Sequence, residues 1–384
     1  MPVRSGNRAC PSNKEIRSPG LASIAINMDH QTNNRCIIEK QNLILVTGAA
    51  GFIGSKVVDQ LLDMGYCNLR CFVRPSRSSA KLKPLSSRIH GAANVEVFKG
   101  NLLSREDCIR ATQNAAVILH LAAGRGEKSY PDAFLNSVVT TRNLMEASIS
   151  HGCLRRFVSI SSFAVYTNRH KARKGLLDEL CPVEVRPELR GDAYTFAKIK
   201  QDDLVVEYGN KFNIPYVIVR PGHVYGPGNE GISARVGVST FGTFLHLGGS
   251  NTIPFTYVDN CAEAIVLAGL RPGVDGEVFN VVDDDLLSSR HFLQLFKKNV
   301  VPFKSLYLPH FLSYLLCWSW ESFSNWSQGQ LPPAFNRKRW HAFWKKTRYS
   351  NKKLKERLGW VPRVSMTEGL RRYFDACRER GVHA

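Results

Sequence analysis

Asn42–Thr47 (NLILVT) is an apolar run closed by Gly48, and it predicts a buried strand. Phe52–Met64 then turns to helical periodicity. Apolar runs at Leu69–Val73, Val95–Phe98, Ala115–Ala122 and Arg156–Ile160 predict four more strands. Helical patterns fall between them, notably over Asp132–Ser150. Asp192–Phe212 predicts a helix that feeds a strand at Pro215–Val219. Further on, Tyr257–Leu270 predicts a helix and Glu277–Val282 a strand. Strands alternating with helices imply a parallel sheet covered on both faces. The expected fold class is α/β, a doubly wound parallel sheet with a smaller, partly helical C-terminal lobe.

Residues 41–226 are expected to form the sheet domain, with 256–284 returning to it. The segments 227–255 and 285–384 read as less regular and are expected to build the substrate lobe. Residues 1–40 are rich in Asn, Ser, Pro and Arg and read as a disordered tail. Leu21–Met28 is too short and too broken for a secretory apolar region, and Met28 offers an alternative start.

Composition narrows the picture only in part. The 384 residues are 43% hydrophobic, which excludes disorder throughout. No stretch approaches 18 uninterrupted apolar residues, which excludes a polytopic membrane protein. The net charge is +20, but residues 331–384 hold 15 basic and 4 acidic residues, so the excess is local. Such charge suits nucleic acid, an anionic membrane face or an anionic small molecule. The ten cysteines are scattered without CxxC or Cys/His spacing, so no metal site is expected. Cys67 and Cys71, four residues apart on a strand, lie roughly 13 Å apart, too far for a disulfide. A reducing cytoplasm is the expected compartment.

The first strand runs into Thr47-Gly48-Ala49-Ala50-Gly51-Phe52-Ile53-Gly54, with G-x-x-G-x-x-G spacing. Gly48 permits a tight turn, Gly51 lets the backbone approach a pyrophosphate, and Gly54 allows close helix–strand packing. A glycine turn between a strand and a helix points to a dinucleotide and a Rossmann-type sheet. The second strand ends in Val73-Arg74-Pro75-Ser76-Arg77, with no Asp or Glu between Cys67 and Pro84. An Arg there accommodates a 2′-phosphate, so NADP is favoured over NAD.

Tyr194 and Lys198 stand at i and i+4, on one face of a helix. A nearby ammonium favours the phenolate and is expected to lower the Tyr194 pKa toward a working value. The fifth strand ends in Ser159-Ile160-Ser161-Ser162, where Ser162 projects into the ligand crevice and can orient a substrate oxygen.

In order along the chain come TGAAGFIG, HLAA at His120–Ala123, SS-x-x-VY, YxxxK and RPGHVYGPG at Arg220–Gly228. This set resembles the extended short-chain dehydrogenase/reductase superfamily, the NAD-dependent epimerase/dehydratases. The resemblance covers about residues 41–285, with an echo at Leu358–Pro362 (LGWVP). It implies Tyr194 as acid/base, Lys198 as its activator and a ribose ligand, and Ser162 as the orienting hydroxyl. For the cofactor it implies Gly48, Gly51, Phe52, Ile53, Gly54, Arg74, Asn101, Leu102, Ala122, Ala123, Lys198, Pro221 and His223. For the substrate it implies Ser161, Val224 and Tyr225. A homodimer through the Asp132–Ser150 and Asp192–Phe212 helices is also implied.

The departures choose a branch. Members that dehydrate or decarboxylate nucleotide sugars carry acids just after the catalytic Ser/Thr, where this chain has Phe163 and Ala164. Nucleotide-sugar members often carry an Arg shortly before the motif matched by Phe255-Thr256-Tyr257-Val258-Asp259-Asn260, but Asn251–Pro254 holds none, which weakens a UDP-sugar substrate. Asn101 stands where relatives carry an Asp facing adenine. The FVRPS strand end and the IPFTYVDN segment look like reductase and 3β-hydroxysteroid dehydrogenase members. Hydride transfer on a secondary alcohol or ketone, lipophilic in character, is the favoured activity. A nucleotide-sugar epimerase with tightly held NAD is the alternative. A non-catalytic dinucleotide-sensing scaffold is the rival of another class, and such relatives generally lose the Tyr or Lys retained here.

Walls for the substrate are expected from Lys171–Arg190 and Glu230–Asn251, with Arg186, Arg235 and His246 available to an anion. All six tryptophans lie between Trp318 and Trp360, and Val301–Trp326 is rich in large apolar residues. A lobe core with a solvated basic face is the favoured reading. Peripheral contact with an anionic membrane comes second, and nucleic acid last, since no nucleic-acid motif accompanies the charge.

Overall fold

The computed structural model describes residues 36–75, 94–123, 129–167, 175–240, 242–327 and 335–382. The expected tail up to residue 35, Met28, Arg77 and Lys171 lie outside the described residues. Residues 36–40, assigned to the tail, belong to the body. Ile38 is buried in the core, and the Ile37 amide donates to the Leu270 carbonyl at 2.9 Å.

Seven strands form the main sheet: β1 Leu43–Thr47, β2 Asn68–Val73, β3 Asn94–Lys99, β4 Ala115–His120, β5 Arg156–Ile160, β6 Tyr216–Pro221 and β7 Val278–Val281. Their order is β7-β6-β5-β4-β1-β2-β3, every pair parallel. The chain works outward from β1 to β3, then crosses back to β4 beside β1. At that reversal the connections leave in opposite directions and open a crevice at the carboxyl ends. β4 and β5 are buried along their whole length, as strands covered on both faces must be.

The helices are α1 Phe52–Asp63, α2 Arg105–Thr112, α3 Tyr130–Phe134, α4 Thr140–Ile149, α5 Ala193–Phe212, α6 Val258–Leu270, α7 Ser289–Asn299, α8 His310–Trp326, α9 Arg337–Phe343, α10 Lys352–Leu358 and α11 Met366–Glu379. On one side of the sheet Val57, Val58 and Leu61 of α1 share a core with Ala264, Ile265 and Ala268 of α6. On the other, Cys108, Leu144, Met145 and Val205 from α2, α4 and α5 pack with Leu45, Ile118 and Phe157.

The single helix predicted over Asp132–Ser150 is α3 and α4 joined by one wide π-helical turn, Leu135–Val139. The Thr140 and Thr141 hydroxyls donate to the carbonyls of Asn136 (3.0 Å) and Ser137 (2.6 Å) across that turn. The helix expected from Tyr257 begins at Val258, because Phe255–Tyr257 pairs as a short parallel strand with His223–Tyr225.

Among the described residues, the region read as irregular after residue 285 contains five helices. Three of their starts carry side-chain caps: Ser288 accepts from His291 N at 3.2 Å, Asn336 Oδ1 from Arg339 N at 2.8 Å and Ser365 from Glu368 N at 3.4 Å. Thr243–His246 pairs with Gly237–Thr240 and Ser305–Tyr307 in a small sheet. Trp360 of the LGWVP echo is fully buried and donates to the Asn260 carbonyl at 3.0 Å, tying the end of the chain to α6. Cys36, Cys67, Cys71, Cys108, Cys153, Cys261, Cys317 and Cys377 are free thiols. Among the described residues no helix is long and apolar enough to cross a membrane.

Candidate active site

A cavity of about 650 Å³ opens at the carboxyl ends of β1, β2, β4, β5 and β6. Its lining includes Gly48, Gly51, Phe52, Ile53, Gly54, Arg74, Asn101, Leu102, Ala122 and Ala123 at one end. Ser161, Ser162, Tyr194, Lys198, Pro221, His223 and Val224 line it as well. Tyr225 does not. Its side chain points into the core against Phe255, Tyr257 and Tyr373, and its hydroxyl contacts Met366 Sδ at 3.3 Å. Successive residues on a strand face opposite ways, so Val224 on the cavity puts Tyr225 behind it.

Gly48 sits at φ +70°, a backbone state that favours glycine. A Cβ on Gly54 would stand 2.1 Å from the Gly48 carbonyl oxygen, so the third glycine is a packing requirement. α1 starts at Gly51 with no side-chain cap and no acid in its first turn, leaving amides free for an anion. Asn101 folds its Oδ1 back onto Leu103 N at 3.0 Å, and its own amide donates to Asp107 at 2.8 Å.

Asp192 caps α5 by accepting from the amides of Tyr194 (3.2 Å) and Thr195 (3.4 Å), which sets the start of the Tyr–Lys helix. Ser162 Oγ accepts from Ala164 N at 3.1 Å, leaving its hydroxyl hydrogen to donate elsewhere. Ser162 beside Tyr194 favours the phenolate and lowers its pKa, but burial is the larger influence and raises it. The expected depression by Lys198 is therefore corrected. Lys198 Nζ is turned toward the Ile160 carbonyl (2.6 Å) and Gln201 Oε1 (2.9 Å). Burial brings its pKa down to about 8, with Asp202 opposing.

A buried hydrogen-bond chain runs from the glycine turn to Lys198. Thr141 Oγ1 spends its hydrogen on the Ser137 carbonyl, so it accepts from Gln201 Nε2 (3.0 Å) and from His120 Nε2 (2.9 Å). The hydrogen count assigns His120 the Nε2–H tautomer, with Nδ1 accepting from Thr47 Oγ1 at 2.8 Å. Thr47 Oγ1 in turn accepts from Ala122 N at 3.2 Å. Burial, aided by Lys198, takes the His120 pKa down to about 3, which matches a neutral ring.

A second group braces the ends of β5 and β6. Asp202 pairs with Arg220 at 3.0 Å and accepts from Ser161 Oγ at 2.9 Å. Arg220 lies over the Tyr166 ring at 4.9 Å, and Tyr166 donates to Asn280 at 2.8 Å. Ser161 thus lines the cavity with its hydroxyl hydrogen spent on Asp202, and its role is to brace the strand end.

The expected walls are corrected too. No described residue of 175–190 or 230–251 lines the cavity. Asn136, Thr140, Asn229 and, from α9, Arg339 and Phe343 do so instead. Around the Phe343 ring stand the guanidinium carbons of Arg235 (5.1 Å), Arg190 (5.7 Å) and Arg339 (5.7 Å). His246 is buried away from the site, bonded to Ser289 at 3.0 Å, and Arg186 is exposed. His223 is kept neutral, its pKa taken down to about 4 by burial and by Arg235. Gln201 and Asp202 were legible as helix positions sharing a face with Lys198. Arg339 and Phe343 carried no such signal, being far from every motif. Among the described residues no group of three or more His, Cys, Asp or Glu is placed to hold a metal.

A parallel sheet that reverses beside a glycine turn, facing a cavity of this shape, defines a Rossmann-fold dinucleotide enzyme. The model of the NAD dependent epimerase/dehydratase family matches residues 44–281, and the chain belongs to that family. The chain is 30% identical over 257 residues to a trifunctional UDP-glucose 4,6-dehydratase/UDP-4-keto-6-deoxy-D-glucose 3,5-epimerase/UDP-4-keto-L-rhamnose-reductase of Arabidopsis thaliana, covering 63% of this chain and 37% of that protein. It is 23% identical over 371 residues to a 3beta-hydroxysteroid-dehydrogenase/decarboxylase of the same plant, covering 88% and 62%. It is 24% identical to the Mus musculus sterol-4-alpha-carboxylate 3-dehydrogenase, decarboxylating, covering 89% and 92%. The chain thus spans less than two thirds of the length of either plant relative. The solved UDP-glucuronic acid 4-epimerase of Bacillus cereus, in complex with UDP-glucuronic acid and NAD, shares the fold. Its TM-score is 0.66 at 23% identity, over 88% of this chain and 99% of that one. The chain is an enzyme of the extended short-chain dehydrogenase type.

Proposed function

We propose that this enzyme transfers a hydride between a nicotinamide cofactor and a secondary alcohol or ketone, using Ser162, Tyr194 and Lys198. The observation that supports this reading is that Ser162, Tyr194 and Lys198 line the same cavity as the glycine turn. The cavity fits a dinucleotide: uncapped amides of α1 for the pyrophosphate, Asn101 toward the adenine, and the third Lys198 hydrogen for a ribose. Arg74, exposed at the cavity edge, is the cation for a 2′-phosphate, so NADP is preferred. When bound, that cofactor supplies or accepts the hydride.

Burial holds Tyr194 protonated at neutral pH, the state that donates a proton to a ketone oxygen. Ser162 orients the substrate oxygen before Tyr194 Oη. The coverage of the sterol dehydrogenases, 88–89% of this chain, supports a lipophilic substrate. A homodimer through α3, α4 and α5 fits the exposure of Phe134, Leu135, Val206 and Phe212. The scattered cysteines, without paired spacing, fit the cytoplasm.

Tyr194→Phe should lower turnover about 100-fold or more while leaving cofactor affinity unchanged, measured by steady-state rates and cofactor fluorescence. Unchanged turnover overturns the assignment. The relatives of about 30% identity named for UDP-sugars favour a second reading, a nucleotide-sugar epimerase. Native mass spectrometry separates the two. NAD retained through purification supports the epimerase, and exchangeable NADP supports the reductase.

A further inference from the structure

α8 is built with its polarity reversed. Its buried positions are Ser313, Cys317 and Ser324, a narrow stripe of small side chains on one side. Its large apolar residues face outward, against the expectation that they fill a lobe core. Phe311 is 79% exposed, Trp326 78%, Leu316 52%, Trp318 and Phe323 46%, and Leu315 41%. On a helix these occupy the arc opposite the buried stripe. The strand before it adds Leu306 and Tyr307, 58% and 42% exposed. A contiguous outward apolar face of this kind marks a surface that meets something apolar.

The surroundings say what it meets. From Leu286 to Tyr349 the sequence carries ten Lys and Arg against one acid, Glu321. That acid is neutralised by Arg337 at 2.8 Å. Arg290, Lys298 and Lys304 are exposed on the neighbouring elements, Arg290 lying over the Tyr307 ring at 5.1 Å. A second copy set on this face by a two-fold axis would oppose like charges. An anionic surface neutralises them while its acyl region takes up the aromatic side chains. α8 has 17 residues, about 25 Å, and lies along the protein surface rather than spanning a bilayer.

We infer that the outward face of α8 docks flat on an anionic lipid bilayer, with Trp318 and Trp326 at the headgroup boundary. Trp340 of α9 donates to Ser313 Oγ of α8 at 2.9 Å, and α9 supplies Arg339 and Phe343 to the cavity wall. Docking therefore sets the cavity one helix from the lipid.

The test uses the full chain with vesicles of phosphatidylcholine alone or mixed with phosphatidylglycerol. At low salt the protein floats with the mixed vesicles, and lipids brominated on the acyl chain quench its tryptophan fluorescence. Phe311→Ser/Trp326→Ser loses both signals while keeping its circular dichroism and cofactor affinity. Lys298→Ala and Lys304→Ala each lower partitioning about fivefold. Absence of flotation and quenching overturns the inference. So does a Phe311→Ser/Trp326→Ser variant that elutes as a smaller oligomer, since a second copy would then cover this face. Every readout is binding, so failure here is distinct from failure of the hydride-transfer reading.

Discussion

Lys198 keeps two of its three hydrogens inside the protein, on Ile160 and Gln201, and this makes its charge a property of the whole buried chain. Gln201 Oε1 favours the ammonium, while burial favours the amine. Replacing Gln201 with Met removes the acceptor and the donor to Thr141 together. The Lys198 pKa should then drop below about 8. The alkaline limb of the turnover profile should move down with it, and turnover at pH 8 should fall about tenfold. A pH–rate series that leaves that limb in place would show that Gln201 only fills space. The sequence made Tyr194, Lys198 and Ser162 visible, but it offered no way to see that Thr47, His120 and Thr141 reach the same lysine. They come from β1, β4 and α4, and only packing brings their hydroxyls and ring within 3 Å.

At the level of the element, the glycine turn and α1 were legible because their signal is local. A strand, three spaced glycines and a helical pattern sit in one short stretch, and backbone sterics do the rest. Gly54→Ala would force a methyl into the Gly48 carbonyl, which is backbone and cannot swing aside. The turn should open, and NADPH affinity should fall more than tenfold by fluorescence titration, with α5 and the distant helices intact by hydrogen exchange. The wide turn at Leu135–Val139 was not legible. Its periodicity reads as one helix, and the extra residue shows only as Thr140 and Thr141 bonding back to the preceding turn. The lobe after residue 285 was expected to be partly helical, but its helices were not placed, although Ser288 and Ser365 announce two of them.

At the scale of the whole molecule, His120, His223 and His246 are held neutral, with pKa values near 3 for His120 and near 4 for the other two. Each folded pKa lies below the unfolded value near 6.5. The unfolded chain therefore binds protons that the folded one does not, and stability from these groups is lost as pH falls from about 6.5 toward 4. Asp283 works the other way, its pKa raised to about 7 by burial. The cleanest measurement is a difference. His120→Asn should lower the melting temperature at pH 7, and that deficit should shrink at pH 5, where the wild-type ring has begun to cost stability. A deficit that stays constant with pH would mean His120 is not held neutral. The charge excess also belongs to this scale. It sits in the C-terminal part, around α8 and beyond, and not in the sheet.

The sequence alone determined the sheet, its glycine turn, and the Tyr194–Lys198 pair. Each depends on patterns within a few residues: periods of two or 3.6, a turn that needs glycine, a helix face. The tertiary structure decided which residues meet. It sent Tyr225 into the core, spent the Ser161 hydroxyl on Asp202, brought Arg339 and Phe343 of α9 to the cavity wall, and turned the aromatic face of α8 outward. Those outcomes turn on which side of an element finds a partner. That is settled by long-range packing, which local periodicity does not encode.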